Sequence, residues 1–491
     1  MTDPTGAEST AHTDGTAVRG DRFSGGPARG FLSSLGADAR IFEADIAVDR
    51  AHVVMLAETE IIDATAAGTI LQALDTIAIE GHDALEGGED VHEAIESAVI
   101  EQVGPEGGKM HTARSRNDEV ATCIRYRLRE DLLEAIDAAI GLREAFAAVA
   151  TDHRETVMCG FTHLQPAQPT TLAHWAVSYE RALTRDTERL FEAFDRTNQS
   201  PLGSCAFGGT PFPIDRERTA TLLGFDGLVE NAMDGASSRD FLLEATTALA
   251  GLATTLSGIA EDLVIYANRG FVELDDDYAS TSSIMPQKKN PDSIELVRST
   301  AGIAHAGVTG LLNTLKGLPR AYNIDLQNAT PHAWDTVDAV TEATTVTAGA
   351  IATATFQVET LEAAAGEGFT TATGVADQLA MGGLPFRTAH EIVAQAAQHG
   401  SDLEAIRDAA DEILEEPLET YCSENTIEKR LDPSQSVADR SSRGGPAPAA
   451  IDSQLELLTT ELTEHENELE ARNQSLVSAH EQLAEVTHQY V

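Results

Sequence analysis

Lysine is almost missing from this 491-residue chain: there are five, Lys109, Lys288, Lys289, Lys316 and Lys429. With 33 Lys+Arg against 80 Asp+Glu, the formal charge is −47. A surface of that sign repels nucleic acid and anionic membranes, so neither is expected as a partner. It also repels itself, a cost that concentrated salt screens, and the composition reads as adaptation to a high-salt cytoplasm. Cysteine is scarce as well. Cys123, Cys159, Cys205 and Cys422 lie far apart with no CxxC spacing, which suggests free thiols and neither a disulfide framework nor a metal site. No apolar run reads as long enough to cross a bilayer, and the N-terminus lacks the basic start and apolar core of a signal peptide. A cytoplasmic location is expected. Walker A and dinucleotide glycine patterns are absent, and no cofactor is expected.

What is present is helical periodicity. Ile124, Leu128, Leu132, Ile136 and Ile140 recur every fourth residue after Val120, the mark of a long helix. After Arg239 and Asp240, the residues Leu242, Ala245, Leu249, Leu252, Leu256, Ile259 and Leu263 alternate spacings of three and four. That heptad seam, with small residues on its other faces, predicts a helix buried by several neighbours. Further helices are predicted from Phe42 to Leu56, Thr171 to Phe194, Asp292 to Leu318, His332 to Leu361 and Ile451 to Val491. β-alternation is nearly absent, so the fold class is all-α with a central bundle. The 42% hydrophobic content opposes disorder for most of the chain. The expected organisation is a disordered tail over 1–21, an N-terminal helical domain over 22–115 and a long-helix bundle over 116–362. A small helical domain over 363–449 and a final helix over 450–491 complete it.

Polar residues of catalytic type collect in the loops between these helices. Lys109, Arg114, Arg116 and Asn117 form one basic cluster, Ser282, Lys288, Lys289 and Asn290 another, and Thr162 and His163 precede a segment with two prolines. Cationic groups inside so acidic a chain point to an anionic small molecule, most simply a polycarboxylate. Each has a plainer structural reading. His163 could brace a turn, Ser282 could be a loop hydroxyl, Arg239 with Asp240 could be a helix-start ion pair, and Tyr322 could be packing.

The run from Ser280 to Asp292, STSSIMPQKKNPD, resembles the signature loop of the fumarase/aspartase superfamily, and its QKKNPD half resembles the argininosuccinate lyase branch. The blocks Gly108–Asp118, Thr162–Pro169, Ser238–Phe241, Tyr322–Gln327, Gly368–Thr373 and Pro385–His390 are similar to that branch, in order, over nearly the whole chain. Departures are Thr281 and Ala113 where glycine is usual, Glu119 where glutamine is usual, and Thr330 where a lysine is common. The resemblance implies a three-domain, nearly all-helical subunit, a homotetramer with sites shared between subunits, and β-elimination of argininosuccinate to arginine and fumarate. It implies Ser282 as base, His163 as acid tuned by Glu295, and Lys288 and Asn290 as stabilisers of developing charge. Asn117, Thr162, Tyr322 and Gln327 are implied substrate contacts, with His92, Ser115, Arg116 and Arg239 as pocket members. The alternatives are another fumarate-releasing lyase of the superfamily and a non-catalytic scaffold of the same fold.

Overall fold

The structure is a computed structural model that describes Val18 and residues 26–491. The tail expected over 1–21 lies outside the described residues apart from Val18, as does the start of the ordered part at Arg22.

Helices dominate. In chain order the longer ones are α1 (Phe42–Glu58), α2 (Ala64–Glu80), α3 (Val91–Val103) and α4 (Arg116–Asp152), then α5 (Leu172–Thr197) and α6 (Asp240–Arg269). They continue as α7 (Asp292–Leu315), α8 (Thr330–Thr353) and, after shorter helices, α9 (Pro448–His488). Local chemistry sets their ends. Ser115 caps α4 in a reciprocal box with Asp118, and Gly270 ends α6 in the left-handed conformation that costs glycine nothing.

Three large hydrophobic cores and a small cluster of Val157, Ala365 and Val437 organise the described residues. The largest runs along α4 to α8 and takes in Ile451, Leu455, Leu458, Leu462 and Leu469 of α9. Every residue of the seam from Leu242 to Leu263 is buried in it. A second core joins α1 to α3 and draws Cys123, Leu202, Phe225 and Leu483 from later in the chain. The third is confined to Val375–Ile427. The last helix thus straps the bundle to the N-terminal core.

Two readings are corrected. Helix α6 does have the length and mean hydropathy, 1.4 over its most apolar window, of a membrane span. Alanine and threonine between the leucines hid this run from inspection, and its seam packs against neighbouring helices. The double-proline segment is not a simple turn. It forms an antiparallel hairpin, β1 (Val157–Thr162) with β2 (Gln165–Thr171). Pro166 and Pro169 fit because the ladder is two-stranded, so each can turn its missing donor to an unpaired edge.

Candidate functional site

The residues singled out in the sequence fall at the two ends of the long helices. The first cluster lines a cleft of about 260 Å³ walled by the starts of α3, α4 and α6 and the segment leading into α8. His92, Arg116, Asn117, Arg239, Tyr322 and Gln327 line it, and so does Thr330. Arg239 is 3% exposed. Its Nη1 donates to the Ser238 carbonyl at 2.8 Å, and among the described residues its Nε has no partner. Burial pulls its guanidinium down to about 10, opposed by the Tyr322 phenol. Among the described residues no carboxylate pairs with it. A buried cation without a counter-ion is costly, and a carboxylate ligand would relieve it. Arg116, by contrast, is already tied to Asp90, with Glu93 at 3.9 Å. Asn117 Nδ2 donates to the Ala206 carbonyl at 3.1 Å and Gln327 Nε2 to the Leu32 carbonyl at 3.0 Å. Ser115 does not line the cleft; its hydroxyl accepts the Asn117 amide at 3.4 Å as a helix cap.

Behind the cleft lies a buried ionic layer that reading by motifs missed. Arg114 Nη1 is 2.5 Å from Asp49 Oδ1 and its Nη2 is 2.9 Å from Glu119. His92 Nδ1 is 2.8 Å from Asp45 Oδ2. Three carboxylates therefore face two cations. Burial pushes Asp49 up to about 7 and Glu119 well above the usual carboxylate range, despite Arg114. His52, also buried, is pulled down to about 3 by desolvation and Arg114, and bonds the Thr112 carbonyl at 2.8 Å. A signal was available: Asp45, Asp49 and His52 recur at i, i+4 and i+7 of α1, a polar stripe on a helix otherwise packed inward. The donor atoms of Asp45, His92 and Cys123, and of Asp45, Asp49 and Glu119, come within 4.8 Å of one another. Arg114 already pairs with Asp49 and Glu119, and His92 with Asp45, so these carboxylates meet cations of the chain itself.

The second cluster is at the far end of α6. His163 and Leu164 form the tip of the β1–β2 hairpin, both at positive φ, +56° and +59°. Two-residue hairpins demand that conformation, glycine or asparagine usually supplies it, and a histidine there is strained. Thr162, beside it, is exposed and pairs with Gln165. Arg269, the last residue of α6, stacks on Phe161 at 4.5 Å and reaches the Leu164 carbonyl at 3.5 Å. Close by in the chain, β3 (Ser280–Thr281) pairs with β4 (Lys289–Asn290). Thr281 is a strand residue here, where a β-branched side chain fits. Ser282 Oγ accepts the amides of Met285 at 3.0 Å and Ile284 at 3.3 Å. Lys289 is held by Asp276 at 2.8 Å and Glu273 at 3.5 Å. Lys288 makes no ion pair among the described residues, leaving its charge for something else. Glu295 is exposed in the first turn of α7, and no hydrogen bond joins it to His163 among the described residues.

The two clusters do not meet within one chain. Arg239 precedes the first turn of α6 and Arg269 ends it; thirty helical residues rise roughly 45 Å. Helix α7 returns antiparallel, with Arg298 beside Glu261 and His305 beside Thr254. Ser282 and Tyr322 consequently stand at opposite ends of the bundle.

Residues 31–305 match the family described as "Lyase" and residues 369–438 the one described as "Argininosuccinate lyase C-terminal". The chain is 62% identical over 472 residues to the argininosuccinate lyase of Haloarcula marismortui, covering 95% of each. It is 63% identical over 473 residues to that of Natronomonas pharaonis, covering 96% of each. Among solved structures, EDDS lyase in complex with formate matches with TM-score 0.86 and 33% identity, over 95% of this chain and 96% of that one.

Proposed function

The chain belongs to the argininosuccinate lyase family of the fumarase/aspartase superfamily, and on that premise we propose that its two clusters act together as one site. The enzyme is a carbon–nitrogen lyase that splits argininosuccinate into arginine and fumarate, in arginine biosynthesis. The cleft binds the substrate's carboxylates through Arg239 and His92, with Asn117, Tyr322 and Gln327 orienting it, Arg116 and Ser115 shaping the wall, and Thr162 closing from the hairpin. Ser282 Oγ takes the proton from the carbon next to a carboxylate. The electron pair moves into that carboxylate, giving an aci-carboxylate that Lys288 and Asn290 stabilise. The pair then returns to form the double bond of fumarate as the C–N bond breaks, and His163, tuned by Glu295, protonates the departing guanidino nitrogen.

The observation that carries this reading is the pair of amides, Ile284 and Met285, aimed at Ser282 Oγ. A free hydroxyl is too weak a base; two fixed donors and an unpaired lysine stabilise the alkoxide it must become. The helix-length separation of the clusters supports a homotetramer in which each site draws them from different subunits. The enzyme works in the cytoplasm.

Thr330, in the cleft wall, keeps a second reading in view, a fumarate-releasing lyase for a different amine. Fumarate release measured by absorbance in molar salt, with argininosuccinate and adenylosuccinate in parallel, separates the two. Ser282→Ala is expected to lower the rate by about 10²–10⁴-fold. Undiminished release from the variant would remove Ser282 as base.

A further inference from the structure

We propose that Asp45 is a positioning residue of this site: its buried carboxylate holds the His92 ring in one orientation and keeps it an imidazolium, so that Nε2–H serves the cleft as a fixed donor to a substrate carboxylate. The inference rests on the lyase reading above. It starts from three observations. Asp45 Oδ2 and His92 Nδ1 form an ion pair at 2.8 Å, outside hydrogen-bond alignment, with side chains 0% and 3% exposed. His92 lines the cleft, and among the described residues its buried Nε2, like Nδ1, has no hydrogen-bond partner. Glu119, on the other side, reaches Nδ1 at 3.9 Å.

A buried histidine normally loses its proton, because burial disfavours the charged ring. Here the groups around it reverse that. Asp45 and Asp49 face it from α1, Glu119 from α4, Asp90 from the cap of its own helix, and Asp38 from the segment before α1. His111, from the loop before α4, acts in the opposite sense, and the Arg114 guanidinium stands against Asp49 and Glu119. Burial pulls His92 down, the carboxylates outweigh it, and the ring is held up at about 10. Cys123 Sγ bonds Asp45 Oδ1 at 3.3 Å and fixes the carboxylate from behind. A neutral ring could present Nε2 as an acceptor and would repel a carboxylate; the imidazolium can only donate.

The test is the pH dependence of KM and kcat for argininosuccinate from about pH 5 to about pH 9, with succinate binding by calorimetry in parallel. The wild-type KM is expected to stay flat. In Asp45→Asn it rises with pH by about tenfold or more, the loss of one charge-assisted hydrogen bond, while kcat follows weakly. Asp45→Glu, which keeps the charge, is expected to restore most of the flat profile. Should Asp45→Asn fail to fold, NMR of the His92 ring carbons in the wild-type protein from about pH 5 to about pH 9 reads the same device: a ring that stays protonated is expected, and one that titrates near neutrality would overturn the proposal. A pH-independent offset in both Asp45 variants, or a loss confined to kcat, would overturn the proposal. Absent turnover in the wild type, with succinate binding that turns pH-dependent only in Asp45→Asn, would remove the lyase reading and leave the positioning role standing.

Discussion

Chains carrying Ser282→Ala and chains carrying Arg239→Gln are each expected to be inactive as pure assemblies and to regain activity when denatured together and co-refolded. The reason is geometric. Reacting groups must come within about 3.5 Å, yet these two residues sit at opposite ends of α6, roughly 45 Å long at 1.5 Å per residue. A working site must then take its cleft from one subunit and its serine loop from another. With equal amounts of the two chains mixing at random, a site holds an intact cleft half the time and an intact serine half the time. About one quarter of wild-type activity should return in a closed symmetric assembly. The assay is fumarate absorbance at saturating argininosuccinate in molar salt, with size-exclusion profiles to confirm equal assembly. A mixture no more active than its parents would refute the shared site, and with it the inference from the length of α6.

Other predictions follow from single positions. Ala113 has φ +61°, and Ala113→Gly should stabilise the fold by about 0.5–1 kcal/mol by relieving the left-handed strain; a lower melting temperature would contradict this. Arg114→Met should strand Asp49 and Glu119 as buried unpaired carboxylates and cost about 3–5 kcal/mol, read from denaturant midpoints, a cost that Arg114→Lys recovers in part. With a formal charge of −47, the melting temperature should rise as the Debye length shrinks from about 10 Å at 0.1 M salt to about 3 Å at 1 M. Stability that falls with salt would end the salt-adaptation reading.

Much of the architecture was legible because helical periodicity is local. The seam from Leu242 to Leu263 stood out at spacings of three and four, and α6 follows it from Asp240 to Arg269. The helix expected to reach Leu361 instead stops at Thr353, where Thr355–Phe356 pairs with Val272–Glu273, a partner too distant in sequence to foresee. The β1–β2 hairpin was hidden for a different reason. Its tip, His163-Leu164, carries neither glycine nor asparagine, so the usual turn signal was missing. The family blocks singled out the residues but not their arrangement.

The sequence alone determined the helical class, the family and the residue types of the site, since periodicity and motif spacing are read along the chain. Only the tertiary structure decided how charge is distributed among them. Asp45 and Asp49 look like solvated acids until packing buries them against His92 and Arg114. Lys288 and Lys289 are neighbours of one type, yet among the described residues only the second is ion-paired, by Asp276 and Glu273. Burial and ion pairing depend on groups far apart in sequence, so the fold, and not the motif, sets which charges remain available for a substrate.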